Sequence, residues 1–184
     1  MTGNGQTTNK RKGDWSMIQN EPKKFIGDPV VDRVRAAMEH RATWFYLMLD
    51  VMKEQGMDVE EARKAIYKCG CIHGRTKYPK TDDLREFYAS FLPADMEKVL
   101  EVESTVEEDC IDARFGYCPL VAAWQKLTGD EAYIKKICDI AMDGDRGIIA
   151  QYPDWNFELG DTIADGCPTC HIRITKAKTS EDDS

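Results

Sequence analysis

The spacing of apolar residues changes its period near residue 99, and that change limits the folds open to this chain. Upstream, apolar residues recur at positions 34, 37, 38, 42, 45, 48, 49 and 52, the spacing of a helix with one wide buried face. Asp28-Pro29 supplies an N-cap and a proline at the first helical position, and Gly56 ends the run. Asp58 with Glu61 resembles a capping box for a second helix that ends near Cys69-Gly70. Thr81 opens a third helix around Leu84, Phe87 and Phe91, and Pro93 opens a short fourth. Downstream, Val99 to Ser104 and Cys110 to Tyr117 alternate as half-buried strands do. Ile111, Ala113, Phe115 and Tyr117 share one face of the second strand; Cys110, Asp112 and Arg114 take the other. Helices are expected from Cys118 to about Leu127 and from Asp130 to Gly147, then strands over Trp155 to Thr162 and Thr169 to Thr175. Helices segregated from strands in this way predict an α+β fold, an antiparallel sheet of about four strands packed with helices behind an N-terminal helical segment. Residues 1–20 read as a disordered lead-in, 21–176 as a single domain and 177–184 as an acidic tail.

Composition narrows the partners. The net charge is −8, and the one basic run, Lys10-Arg11-Lys12, has no aromatic neighbours suited to a nucleic-acid face. No apolar run approaches the roughly 18 residues that span a bilayer, so no membrane partner is expected. The first residues carry no apolar stretch of the signal-peptide kind, which places the protein in the cytoplasm. Seven cysteines, an odd number without an export signal, read as reduced thiols rather than a disulfide framework. The expected partner is a small-molecule substrate, with a homo-oligomer possible and no cofactor required.

One of those thiols stands in an unusual place. Pro119 suits the first helical position, which makes Cys118 the N-cap, where serine, threonine, aspartate or asparagine is the usual choice. A neutral thiol caps poorly. A thiolate accepts from the free amides and sits at the positive end of the helix dipole, and that geometry lowers a cysteine pKa from about 8.5. The position therefore suits a nucleophile, although a small apolar residue packed in a turn accounts for it too.

From about residue 30 to 175 the chain resembles the L-2-amino-thiazoline-4-carboxylic acid hydrolase family of bacterial proteins. The resemblance rests on Cys118-Pro119-Leu120 before an amphipathic helix with Trp124, then Ile137-Cys138-Asp139 in the next helix and Asp143 or Asp145 after it. It continues through Tyr152-Pro153, and Gly166 stands four residues ahead of Cys170 in the closing Cys170-His171-Ile172-Arg173-Ile174. The resemblance implies an α+β fold and ring-opening hydrolysis of a small cyclic C=N or C–N compound. It also implies that Cys118 and Cys170 are the site cysteines, with an aspartate from the 143–145 region beside them. Cys167 stands where the family more often has aspartate, which creates Cys167-Pro168-Thr169-Cys170.

That pair could serve redox chemistry or form half of a metal site, with Cys69 and Cys71 supplying the other half. A lyase acting in the same pocket is a further alternative. Among three histidines, His73 lies in a Gly-rich stretch expected to be a loop near the pocket, and His40 sits within the first helix. His171 neighbours Cys170, but adjacent strand residues point to opposite faces. Asp139, Asp143 and Asp145 are expected on the C-terminal half of one helix, where the dipole raises a carboxylate pKa; a solvated acidic face is the alternative. Arg41 and Arg114 are candidates to hold a substrate carboxylate, and Arg114 could instead pair with Asp112 or Glu103 across the sheet. Trp44, Met48, Met52 and Trp124 at helical spacing read as core.

Overall fold

The computed structural model describes residues 18–177; Lys10-Arg11-Lys12 and residues 178–184 of the acidic tail lie outside them. Helix α1 (Pro29–Glu54) begins where the sequence puts it, because Asp28 accepts hydrogen bonds from the amides of Val30 and Val31 ahead of the proline turn. A 3₁₀ turn (Val59–Glu61) capped by Asp58 leads into α2 (Ala62–Thr76). Then come α3 (Leu84–Phe91), α4 (Ala94–Leu100), β1 (Val102–Val106), β2 (Cys110–Phe115), α5 (Pro119–Leu127), α6 (Glu131–Ala141), α7 (Asp143–Ile149), β3 (Trp155–Leu159) and, after a 3₁₀ turn (Ile163–Asp165), β4 (Cys170–Lys176). The four strands pair antiparallel in the order β1-β2-β4-β3. The fold is α+β, as the pattern predicts.

Three departures have physical causes. Helix α2 runs through Cys69-Gly70 to Thr76, so His73 is on a helix and not in a loop. Its glycines serve close packing: a methyl group on Gly70 would run into the Gly144 carbonyl oxygen, and one on Gly147 into the Tyr67 carbonyl oxygen. The backbones of α2 and α7 thus touch, and that contact outweighs the helix-weakening tendency of glycine. Second, the expected helix from 130 to 147 is two, divided at Met142. Third, Val99 and Leu100 end α4 and do not open β1; Val99 is buried, and Glu101 in the left-handed region turns the chain into the strand.

Two apolar clusters hold the layers together. One joins α1, α5 and α6 through Ala42, Leu49, Val121, Trp124, Ile134 and Ile137, with the Trp124 indole N–H donating to the Ala42 carbonyl at 3.0 Å. The other lies under the sheet, where Ile111, Ala113, Ile172 and Ile174 meet Leu84, Phe87 and Trp155. Trp124 is fully buried as expected, whereas Trp44 and Met48 project from α1 into solvent and belong to neither cluster.

The chain is already packed at Ile18. The Gln125 side chain donates to the Ile18 carbonyl, and the Ile18 amide donates to Glu131, both at 2.8 Å. Glu101, itself buried, accepts from the amides of Lys23 and Lys24 and from Arg35 at 3.1 Å. The start of the chain is therefore sewn across α5, α6 and α4 before α1 begins.

Candidate active site

Cys118 is the N-cap of α5, with extended backbone (φ −125°, ψ 106°) and Pro119 after it. Its position is fixed from an unexpected quarter. The side-chain amide of Asn20 donates to the Cys118 carbonyl at 2.8 Å and accepts from the Cys118 amide at 2.9 Å. Asn20 is buried, so this two-point clamp operates out of water. Sequence reading misses Asn20 because it lies 98 residues away in a segment whose composition resembles a tail.

The thiol itself departs from expectation. Burial pushes the Cys118 pKa above the ordinary cysteine value, and the opposing pull of the Val121 and Leu120 amides and of Arg41 does not reverse it. The amides at the helix start act in the predicted direction, but the sulfur packs against the α1/α5/α6 cluster, and desolvation wins. The resting species is the thiol.

Cys170 opens β4 on the face that carries Ile172 and Ile174, opposite Phe115, and Ile163 donates its amide to the sulfur at 3.3 Å. Burial, reinforced by Cys118, pushes the Cys170 pKa up to about 12. Cys138 on α6 is also raised, by burial and by its neighbours Cys118 and Cys170. Three thiols from α5, α6 and β4 therefore converge on one interior region. All seven cysteines are free. Among the described residues no three Cys, His, Asp or Glu side chains form a group able to hold a metal ion, so the ligand set considered from Cys69, Cys71, Cys167 and Cys170 is not assembled.

The aspartates divide. Asp139 and Asp143 belong to an ion-pair lattice: Arg146 reaches Asp139 at 2.7 Å and Asp143 at 2.5 Å, and Arg63 reaches Asp139 at 2.5 Å and Asp143 at 3.5 Å. Burial alone would raise the Asp139 pKa, but hydrogen bonds from Arg146 and Arg63 hold it below the usual carboxylate range. Asp145 takes no partner in that lattice, and burial lifts its pKa to about 6 against the pull of Arg41 and Arg146. The helix break corrects the dipole argument. Asp143 and Asp145 stand in the first turn of α7, where the dipole favours negative charge, so burial is what raises Asp145.

Arg41, on α1, links these parts. Its charge acts on Cys118, Asp145 and His73, and among the described residues it forms no ion pair. His73 has its pKa lowered, by burial first and then by Lys77 and Arg41. Arg114 does not join them. It is exposed on the outer sheet face, opposite Glu103 on β1 and His171 on β4, away from the face of Cys170. On that outer face His171 Nε2 lies 2.9 Å from Asp112 Oδ2, so His171 faces away from the thiols, as strand alternation predicts. His40 is exposed and packs edge-on against Trp44.

The fold is thus a small α+β domain in which a helix-capping cysteine, two further interior thiols and a raised carboxylate surround an arginine that, among the described residues, forms no ion pair. A model of the L-2-amino-thiazoline-4-carboxylic acid hydrolase family matches residues 35–174. The chain belongs to that family. No curated protein matches it. Among solved structures it is similar to the crystal structure of a trafficking protein particle complex subunit 3 from Naegleria fowleri covalently bound to palmitic acid, with 14% identity and a TM-score of 0.52 over 78% of this chain and 97% of that one. At this identity the likeness speaks for the fold.

Proposed function

We propose that this protein opens a small cyclic C=N substrate of the aminothiazoline-carboxylate kind by hydrolysis, with Cys118 as nucleophile. The observation that carries the reading is the clamp of Asn20 on the Cys118 backbone, which aims a helix-capping sulfur next to the free charge of Arg41. Family membership over residues 35–174 supports the reaction class. Arg41 pairs with the substrate carboxylate. Cys118 Sγ adds to the ring carbon of the C=N bond as its proton leaves for a base. His73, kept neutral by its lowered pKa, and Asp145, near 6, are the groups able to carry that proton. The Leu120 and Val121 amides steady the sulfur's charge. The ring bond then opens with the proton delivered to its leaving atom, and water releases the adduct from sulfur and restores the thiol. Cys170 closes the far side of the site. A neutral resting thiol suits this sequence, because charge on sulfur develops only as the proton moves.

The test is turnover of 2-aminothiazoline-4-carboxylate, with carbamoyl-cysteine identified by mass spectrometry. Cys118→Ala and Cys118→Ser should fold and lose at least about a thousandfold in rate. Turnover that survives either change overturns the assignment of the nucleophile.

A further inference from the structure

Helix α1 presents a face that the fold leaves uncovered. Trp44 (64% exposed), Leu47 (50%), Met48 (58%) and Val51 (55%) stand at i, i+3, i+4 and i+7, one continuous stripe opposite the buried Ala42 and Leu49. Four large apolar side chains in a row on a helix of 26 residues exceed the scattered exposure that a soluble surface tolerates. Trp44 is held in place by an edge-on contact with His40, ring centroids 5.5 Å apart. A preset aromatic of that kind is an interface anchor in waiting.

We infer that this stripe pairs with the same stripe of a second copy of the chain, the two α1 helices running antiparallel about a two-fold axis near Leu47 and Met48. The charge pattern selects both occupant and direction. His40 and Arg41 precede the stripe and Glu54 follows it. With the axis at Leu47–Met48, the antiparallel arrangement brings Glu54 of one copy level with the His40-Arg41 pair of the other, twice by symmetry. A parallel pair would set Glu54 against Glu54. Shape agrees: the same axis lays the large Trp44 over the smaller Val51 of the second copy, and Leu47 and Met48 meet their counterparts at the centre. A surface that complements itself in size and charge under one two-fold operation is what an isologous dimer requires. Antiparallel helices with apolar seams and flanking charges form such interfaces.

Sedimentation equilibrium of the full chain over a wide concentration range tests this. The expected result is a reversible species of twice the chain mass. Leu47→Glu sets two carboxylates at the axis and should raise the dissociation constant about 30-fold or more, with the helical circular dichroism unchanged because Leu47 is half exposed and belongs to neither apolar cluster. His40→Glu opposes Glu54 and should weaken the dimer several-fold, and adding Glu54→Lys should restore it. A monomer at every concentration overturns the inference. So does a dimer indifferent to Leu47→Glu, to His40→Glu or to the charge swap. A monomer whose Trp44 fluorescence shifts on vesicles containing phosphatidylglycerol overturns it in favour of a membrane surface.

Discussion

Replacing Asn20 with alanine removes both points of the clamp, and the structure lets the loss be worked out group by group. The Cys118 carbonyl keeps a partner, because the Ala122 amide donates to it at 3.1 Å. The Cys118 amide, satisfied by Asn20 at 2.9 Å, does not. The cost is then one net hydrogen bond at the carbonyl, about 1 kcal/mol, plus a stranded interior N–H at about 1–3 kcal/mol, or roughly 2–4 kcal/mol in all. That is a large share of the 5–15 kcal/mol typical of a domain. Asn20→Asp keeps the acceptor for the Cys118 amide but buries a carboxylate whose second oxygen faces the Cys118 carbonyl, so at neutral pH it should cost at least as much as alanine. Urea unfolding followed by far-ultraviolet circular dichroism gives both values, provided the slope m matches the parent. A loss under about 0.5 kcal/mol for Asn20→Ala, or an Asn20→Asp variant as stable as the parent at neutral pH, would refute the clamp as described.

Other outcomes follow from the same geometry. Asp145 titrates near 6 when folded and near 3.8 when unfolded, so the folded state holds the extra proton and stability falls as pH rises from about 4 to 6. Asp145→Asn should therefore be more stable than the parent at pH 8, by on the order of 2 kcal/mol, with the difference vanishing below pH 4; urea titrations across that range check it. Gly147→Ala drives a methyl group into the Tyr67 carbonyl and should cost about 2–4 kcal/mol, against under 1 kcal/mol for Gly129→Ala, where nothing lies within contact; thermal melts compare them. Iodoacetamide at neutral pH should modify exposed Cys69 first and Cys118, Cys138 and Cys170 far more slowly, because burial holds those three as thiols. Peptide mass mapping over time would contradict this if Cys118 reacted first.

The sequence carried the sheet and the capping cysteine clearly because both depend on neighbours within a few positions. Alternation through Ile111, Ala113 and Phe115 fixes which face of β2 is buried, and Cys118-Pro119 marks a helix start on chemistry local to two residues. What escaped depends on distant parts. Gly70 and Gly147 read as helix breakers until α2 and α7 are seen to touch. Asn20 looks like lead-in until its partner appears 98 residues on. The thiol's pKa direction was misread for the same reason: a helix start can be found in a string of letters, but how much hydrocarbon surrounds a sulfur cannot. Arg114 was assigned to the site by closeness in sequence, yet strand alternation alone puts it on the face opposite Phe115.

The strand order has a bearing on how a newly made chain matures. β4 sits between β2 and β3 although it is synthesised after both, so β3 has no neighbour to zip against until the 170–176 stretch emerges. Cys170 arrives on that same stretch. A nascent chain paused short of it would hold its helices, leave the β1-β2 pair and an unpaired β3 open to unwanted pairing and lack the third of its interior thiols. Completion of the sheet and the gathering of Cys170 with Cys118 and Cys138 are one event in time.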